Sequence, residues 1–224
     1  MAFFEKLAGI LLPPKCIFCA ELLEPGTVLQ ICGDCYSKIP FAEEAVVRTG
    51  AGESHTGCDG AICVCDYSGI VRESLIRFKF YSKPGYYRTY GKLMAERIRK
   101  LTDINGFDML VSVPLHQQRQ YTRGYNQAFL ISRALSRELK LPERSDLLKR
   151  LKDTDTQSLL DRNDRRRNVT DAFAVTAPDE LEAKTVLLVD DILTTGFTMD
   201  ECARTLKNAG ARVVIGTAVA TGRK

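Results

Sequence analysis

The sequence predicts an α/β fold, with a parallel β-sheet flanked by helices and a small cysteine-rich module ahead of it. Continuous apolar runs alternate with amphipathic helical patterns, and this alternation is typical of a parallel sheet that is covered on both faces. Two Cys-x-x-Cys pairs near the N-terminus predict the module. The length of 224 residues suits one domain of ordinary size with a small addition.

Composition and charge exclude several classes of protein. Apolar residues make up 45% and charged residues 27% of the chain, which excludes wholesale disorder and fibrous repeats. The net charge of +4 is too small to require nucleic acid as a partner. No apolar run approaches the roughly 20 residues that a membrane span needs, and the N-terminus lacks a small-residue cleavage site. We therefore expect a cytoplasmic protein, in which cysteines indicate metal binding or packing.

Apolar spacing places the individual elements along the chain. A short amphipathic helix is expected over residues 1–12, ended by Pro13 and Pro14. Strands are predicted over 61–67, 108–114, 146–150, 185–190 and 212–220, and helices over 70–80, 86–101, 126–139 and 198–208. Residues 41–57, rich in Gly, Ala, Glu and Ser, are typical of a linker or wrap. This division predicts a zinc ribbon with its leading helix over 1–45 and an α/β domain over 58–224.

Four cysteines have the spacing of a zinc ribbon. They form the pairs Cys16-Ile-Phe-Cys19 and Cys32-Gly-Asp-Cys35, separated by twelve residues. Each pair can sit on a tight turn that directs both sulfurs to one ion, and four thiolates close the coordination shell. The pattern therefore favours one structural Zn²⁺ over a catalytic one. A pair of disulfides and thiol redox chemistry are the alternatives.

The remaining cysteines carry a weaker signal. His55, Cys58, Cys63 and Cys65 lie close enough in sequence to hold a second metal ion. Cys63 and Cys65 also lie within a predicted strand, which is typical of cysteines that simply pack in a core. Cys202 lies within a predicted helix, where packing is again favoured. Both interpretations of the cluster near residue 60 stay open.

An acidic, threonine-rich loop follows the apolar run 185–190. In parallel sheets the ligand lies beyond the carboxyl ends of the strands, and this loop begins there. Its glycine lets backbone approach a ligand closely, and a helix start with threonine hydroxyls suits a phosphate. The two carboxylates can accept hydrogen bonds from vicinal sugar hydroxyls or face a divalent ion. The loop residues concerned are Asp190, Asp191, Thr194, Thr195, Gly196, Phe197 and Thr198.

The run from Val186 to Thr198 resembles the phosphoribosyl-pyrophosphate (PRPP) motif of type I phosphoribosyltransferases. Upstream, Val113-Pro-Leu-His116 with Arg119, and then Arg123-Gly-Tyr-Asn-Gln127, resemble the ComF family of competence-associated proteins. The segment Arg77-Phe-Lys79 and the cysteine ribbon also resemble that family. The resemblance covers nearly the whole chain. Where many relatives carry a second pair of cysteines, this chain has only Cys58, so a double ribbon is not expected.

The resemblance implies a phosphoribosyltransferase-type fold and a set of site residues. The loop 190–198 would hold ribose and its 5-phosphate, with Mg²⁺ accompanying PRPP. The turn formed by Val113, Pro114, Leu115 and His116 would hold pyrophosphate. Lys79, Arg119 and Arg123 are candidates to neutralise the leaving pyrophosphate, and Arg119 and Arg123 are grouped with the aspartates as candidate catalytic residues. For the basic side chains a solvated surface position is the alternative, and His116 can equally be a loop histidine without a role.

Two functional hypotheses follow for this chain. The first is Mg-dependent phosphoribosyl transfer to an unidentified acceptor, with the polar stretch 151–172 as a mobile flap. The second is a single-stranded-DNA-binding competence factor, or a PRPP sensor without transferase activity, working with other competence proteins. For DNA, Arg165-Arg-Arg167 would supply positive charge, and Tyr81, Tyr121 and Tyr125 would stack on bases. A merely solvated arginine-rich face is the alternative reading of residues 165–167.

Overall fold

The computed structural model describes residues 13–42, 46–47, 57–81, 83–151 and 172–222. The expected helix over 1–12, His55 and nearly all of the expected flap lie outside the described residues. The strands are β1 (Val46–Val47), β2 (Gly60–Asp66), β3 (Met109–Ser112), β4 (Leu148–Arg150), β5 (Phe173–Val175), β6 (Thr185–Leu193) and β7 (Val213–Thr221). The helices are α1 (Gly33–Tyr36), α2 (Gly69–Phe80), α3 (Tyr86–Leu101), α4 (Gln117–Arg123), α5 (Gln127–Leu139) and α6 (Phe197–Asn208).

The central sheet has five strands in the order β1-β2-β7-β6-β3. The strands β2, β7, β6 and β3 run parallel to one another, and only the edge strand β1 is antiparallel. A separate two-stranded antiparallel sheet pairs β4 with β5. The predicted α/β class with a mostly parallel sheet flanked by helices is thus confirmed.

Both faces of the central sheet are buried, which explains why its strands lack polar alternation. On one face α2, α3 and α5 pack with Leu187 and Val189 of β6. On the opposite face α6 and the β4–β5 sheet pack with Val186 and Leu188. Successive side chains of a strand point to opposite faces, so a strand between two helical layers must be apolar at every position.

The cysteine module is part of the first of these cores. Cys16, Ile17, Phe18 and Ile39 belong to the same apolar cluster as the helices α2 and α3. The backbone of the stretch that follows pairs with β2. The Ala42 N–H donates to the Val64 carbonyl at 3.0 Å, a distance typical of a backbone hydrogen bond. The start of the expected linker therefore lies along the edge of the sheet, because its backbone groups complete the hydrogen bonding of β2.

Element boundaries differ from the predicted ones at a few places. The strand predicted over 185–190 continues through the acidic pair to Leu193, and α6 begins at Phe197 instead of residue 198. The strand predicted over 146–150 is limited to β4, because a 3₁₀ turn at Ser145–Leu147 precedes it. Helix α4 and strand β5 were not predicted. The sequence of α4 has no apolar periodicity, so spacing gives no signal for it.

Candidate functional site

A polar cleft lies at the carboxyl ends of β3 and β6. Its volume is about 180 Å³. The Val113 N–H donates to the Val189 carbonyl at 2.9 Å, which fixes the turn after β3 beside the acidic pair of β6. The cleft is lined by Lys79, Val113, Pro114, Leu115, Arg119, Arg123, Asn126, Gln127, Ala128, Arg150, Asp190, Asp191 and Thr198.

The acidic pair forms one wall of the cleft. Asp190 is partly exposed and Asp191 is buried, with 8% of its surface accessible. The backbone N–H of Asp191 donates to Asp190 Oδ1 at 2.8 Å, which orients the first carboxylate. Lys79 Nζ, from the last turn of α2, lies 3.0 Å from Asp191 Oδ2. The second carboxylate is therefore held by a cation from a different layer of the fold.

The electrostatics of the pair favour a cationic partner. Partial loss of hydration in the cleft wall, and then the negative charge of Asp191, raise the pKa of Asp190 to about 7, against the opposing effect of Lys79. Two adjacent carboxylates at such a site hold a proton more tightly than an isolated one does. A divalent ion or hydrogen-bond donors of a ligand would relieve this repulsion, and oxygen donors of this kind suit Mg²⁺.

The turn that follows the acidic pair leads directly into α6. Gly196 is the N-cap residue and adopts a left-handed conformation with φ of 87°, which favours glycine. Thr194 is exposed and is not the N-cap residue of α6. Thr198 lines the cleft. In the part of the chain that the structure describes, the four residues before it do not: Thr194, Thr195, Gly196 and Phe197.

The turn after β3 supplies a second wall. Val113, Pro114 and Leu115 line the cleft, but His116 does not. His116 instead caps α4, since its Nδ1 accepts from the Gln118 N–H at 3.3 Å. Helix α4 then places Arg119 and Arg123 at the cleft, and it ends at Gly124, which has a φ of 83°.

Four cleft residues were missed by sequence reasoning: Asn126, Gln127, Ala128 and Arg150. Asn126 braces the turn, because its Nδ2 donates to the Val113 carbonyl at 3.0 Å. Gln127 Oε1 accepts from Arg123 Nη1 at 3.0 Å. The signal that could have found the first two is the polar Asn-Gln pair at the start of an otherwise amphipathic helix. Arg150 ends a short strand of the second sheet, and nothing local marks it.

The four cysteines of the module converge on one point. Their Sγ atoms all lie within 4.8 Å of one another, and Cys19 Sγ is 3.7 Å from Cys32 Sγ. Sulfurs of a tetrahedron with Zn–S bonds of about 2.3 Å are separated by roughly 3.8 Å, so this spacing fits one zinc ion. No disulfide joins Cys16, Cys19, Cys32 and Cys35, which disagrees with the disulfide alternative. Four close cysteines can bind one zinc ion.

The local hydrogen bonds suit a thiolate at Cys16, the first of the four cysteines. Burial by itself raises the pKa of Cys16, but hydrogen bonds from backbone N–H groups of Cys19, Cys32 and Phe18 lower it to about 7. The Cys32 N–H, for example, lies 3.4 Å from Cys16 Sγ. Cys58, Cys63, Cys65 and Cys202 are buried, and among the described residues only the ribbon cysteines form a metal-ligating group.

Among the described residues no helix is both long and apolar enough to cross a membrane.

The parallel sheet, and the cleft that brings an acidic pair together with cationic side chains, are the features that the resemblance to phosphoribosyltransferases implies. In agreement, residues 126–224 match the family described as phosphoribosyl transferase domain. Individual proteins match a larger part of the chain than this family does. It is 31% identical over 205 residues to Competence protein F of Haemophilus influenzae, covering 90% of this chain and 82% of that protein.

Two further relatives extend the comparison. The DNA utilization protein YhgH of Escherichia coli strain K12 is 32% identical over 200 residues, which is 88% of this chain and 80% of the relative. Competence protein ComFC of Bacillus subtilis is 29% identical over 148 residues, or 66% of this chain and 58% of the relative. The chain belongs to the ComF family of competence-associated proteins.

Proposed function

We propose that this chain binds PRPP with Mg²⁺ in the cleft and transfers the phosphoribosyl group to an acceptor, in association with DNA uptake. The observation that carries the proposal is the charge arrangement of the cleft. Two carboxylates, Asp190 and Asp191, share it with the cationic side chains Lys79, Arg119, Arg123 and Arg150. A ligand that presents sugar hydroxyls to the acids and a polyphosphate to the cations matches this arrangement.

The residues of the cleft have separable roles in this proposal. Asp190 and Asp191 accept hydrogen bonds from the ribose hydroxyls, and their oxygens suit a Mg²⁺ ion that accompanies the ligand. When bound, Mg²⁺ would supply positive charge to the pyrophosphate. The turn 194–198 and the first N–H groups of α6 receive the 5-phosphate, because a helix N-terminus attracts anions. The turn at Val113–Leu115 receives the pyrophosphate.

The proposed reaction balances without a redox partner. The bond between ribose C1 and pyrophosphate oxygen breaks, and its electron pair leaves with pyrophosphate. The acceptor's nucleophilic atom forms the new bond to C1 and releases its proton to solvent. Arg119, Arg123 and Lys79 contribute by neutralising charge that develops on the leaving group.

Calorimetric titration with PRPP in excess MgCl₂ tests the binding half of the proposal. We expect Asp190→Asn with Asp191→Asn to lower the affinity at least tenfold, because both ribose contacts are removed. The matched control is Asp179→Asn, which removes an exposed carboxylate on a surface 3₁₀ turn. Equal affinities of the double variant and the wild-type chain would contradict the proposal.

Pyrophosphate release over a panel of bases and amines tests the transfer half. Acceptor-dependent release that the double aspartate variant lacks would support a transferase. Tight PRPP binding without any release would instead favour a protein that senses PRPP. The zinc thiolates of the ribbon require a reducing compartment, which favours the cytoplasm as the place where either function is carried out.

A second candidate function, single-stranded DNA binding, is favoured by exposed aromatic side chains next to the basic cleft. Tyr121 of α4 is 92% exposed, and Phe80 and Tyr81 at the end of α2 are exposed as well. The Arg123 guanidinium lies 5.3 Å from the centre of the Phe80 ring. Tyr125 is less suited to stacking, because its hydroxyl donates to the Phe78 carbonyl and its ring packs on Phe78. Phe80 is the exposed aromatic side chain beside Arg123.

Fluorescence anisotropy with a short labelled single strand tests this candidate. Bases that stack on Tyr121 would make Tyr121→Ala weaken binding about fivefold or more, and the affinity would fall steeply with salt. Tyr36→Ala, which removes an exposed tyrosine from the cysteine module, is the control. An affinity that neither Tyr121→Ala nor salt changes would remove DNA binding at this surface.

A further inference from the structure

The last turn of α2, residues 77–80, contacts both the cysteine module and the cleft. At one end of this segment Arg77 reaches the module, and two residues later Lys79 reaches Asp191. Phe80 lies against Arg123, another residue of the cleft. A single helical turn therefore joins the proposed zinc site to the proposed ligand site.

The contact with the module is made to the backbone of the first knuckle, residues 16–19. Arg77 Nη2 donates to the Phe18 carbonyl at 2.6 Å and to the Ile17 carbonyl at 3.0 Å. Ser74 Oγ donates to the same Ile17 carbonyl at 3.0 Å, and Tyr90 in turn donates to Ser74 at 2.7 Å. Two side chains of α2 thus make three hydrogen bonds to carbonyl groups that lie between Cys16 and Cys19, two proposed zinc ligands.

These acceptors exist in this geometry only while the knuckle keeps its turn. The turn is closed by the Ala20 N–H, which donates to the Cys16 carbonyl at 2.9 Å, and by the convergence of Cys16 and Cys19 on the metal site. Without zinc, the carbonyl groups of Ile17 and Phe18 lose one of the constraints that aim them at Arg77. The guanidinium, which is partly buried, would then have to find other partners.

The other end of the segment is held just as specifically. The Tyr125 hydroxyl donates to the Phe78 carbonyl, and Phe78 itself is fully buried. Lys79 Nζ reaches Asp191 from the next position, so a small rotation of this turn moves the ammonium group away from the carboxylate. The geometry of the cleft therefore depends on where the end of α2 is held.

We propose that Arg77 is a positioning residue through which the zinc-bound knuckle sets Lys79 against Asp191, so that zinc raises the affinity of the cleft for PRPP. The inference rests on the proposed function, because it concerns the same cleft. It differs from a purely structural role of the ribbon, in which zinc stabilises the fold and leaves ligand affinity unchanged. Coupling of this kind changes affinity by a modest factor, since it acts through one contact.

Binding titrations on the full chain separate these two roles. The variant Arg77→Met keeps the aliphatic stem and removes the two hydrogen bonds, together with the exposed 3.9 Å ion pair to Glu73 on the same helix. Arg72→Met removes an exposed arginine from that helix. With one zinc per chain verified in every sample, Arg77→Met should bind PRPP and Mg²⁺ about three- to tenfold more weakly than Arg72→Met. Equal affinities of the two zinc-loaded variants would overturn the inference.

Zinc removal completes the comparison. A chelator that prefers zinc to magnesium is applied and then removed, and PRPP binding is measured again in excess MgCl₂. The Arg72→Met chain should lose about three- to tenfold in affinity, whereas Arg77→Met should lose little more, because the coupling contact is already absent. If zinc removal lowers the PRPP affinity of Arg77→Met by the same factor as that of Arg72→Met, the two effects are independent and the inference is overturned.

Hydrogen exchange of the ligand-free, zinc-loaded chains gives a readout that needs no PRPP. The backbone amides of residues 78–81 should exchange about tenfold faster in Arg77→Met than in Arg72→Met. Identical exchange would overturn the role of Arg77 even if PRPP binds. If the wild-type chain fails to bind PRPP, the proposed function fails, and the exchange comparison still decides whether the knuckle holds the end of α2.

Discussion

Lys79 and Asp191 join two layers of the fold, since Lys79 Nζ of α2 lies 3.0 Å from Asp191 Oδ2 at the carboxyl end of β6. Both side chains are largely buried, with 22% and 11% of their side-chain surfaces exposed. An ion pair in such a place is more than a surface contact, because each partner loses hydration that the other partly replaces. The pair therefore fixes the end of α2 relative to the acidic loop.

Replacing Lys79 by Met should weaken PRPP binding about tenfold, because the cleft loses a cation and Asp191 loses its partner. The measurement is a titration with PRPP in excess MgCl₂. Lys83→Met, which removes an exposed lysine just beyond the same helix, is the control and should stay within about twofold of the wild-type affinity. Unchanged affinity in Lys79→Met would show that this ion pair has a structural role and does not contribute to PRPP binding.

Replacement of a single ribbon cysteine should remove the metal. Cys16→Ser takes away one of four converging sulfurs, so the purified variant should contain far less zinc than the one ion per chain expected of the wild type. The measurement is metal analysis by mass spectrometry. Cys202→Ala, in α6, should be less stable but keep its zinc, because Cys202 is buried away from the ribbon cysteines. Equal zinc content in Cys16→Ser and wild type would contradict the assignment.

Much of the sheet could be predicted because its strands are apolar at every position. Leu187 and Leu188 point to opposite faces, yet both are fully buried, and only a two-sided sheet accounts for that pattern. The acidic pair was predictable for a related reason, since two carboxylates that directly follow such an apolar run are costly unless they have a function. The short helix α4 was not predictable, because a histidine cap and Gly124 define it in place of apolar spacing.

The site was less predictable than the fold. Arg150 reaches the cleft from a sheet that forms only when distant segments meet, since β4 pairs with β5 across more than twenty residues. His116 was placed in the pyrophosphate turn by resemblance, but its ring nitrogen caps the next helix. Local pattern indicates which residue types are present at a loop. The direction of each side chain depends on contacts that the pattern does not contain.

Close packing of α3 against α5 depends on Gly91. A Cβ atom at this position would lie 2.5 Å from the Ala134 Cβ and 3.1 Å from backbone of α5, which is too close for any rearrangement of side chains alone. Gly91→Ala should therefore lower the free energy of unfolding by about 1–2 kcal/mol, because overpacking outweighs the better helix propensity of alanine. Gly85→Ala, whose Cβ would meet nothing, should not destabilise the chain. Urea denaturation of both variants measures the difference, and a Gly91→Ala chain as stable as Gly85→Ala would contradict the expectation.

The acidic pair should make folding stability depend on pH. Because the pKa of Asp190 is raised from 3.8 to about 7, the folded chain keeps a proton that the unfolded chain releases at lower pH. The stability that this proton contributes is fully present below about pH 4 and is lost as the pH rises through about 7. Asp190→Asn removes this titrating group. The free energy of unfolding of the variant, relative to that of the wild type, should therefore rise by about 1–3 kcal/mol between pH 4.5 and pH 8.

Chemical denaturation at several pH values measures this gain. The control is Asp179→Asn, which lies on an exposed turn and should follow the pH dependence of the wild type. If the stabilities of Asp190→Asn and Asp179→Asn change in parallel between pH 4.5 and pH 8, the position of Asp190 beside Asp191 does not cause the pH dependence. If only Asp190→Asn gains stability, the acidic pair lowers the stability of the ligand-free fold at neutral pH. A site that binds a cationic or hydrogen-bond-donating ligand is expected to show this cost.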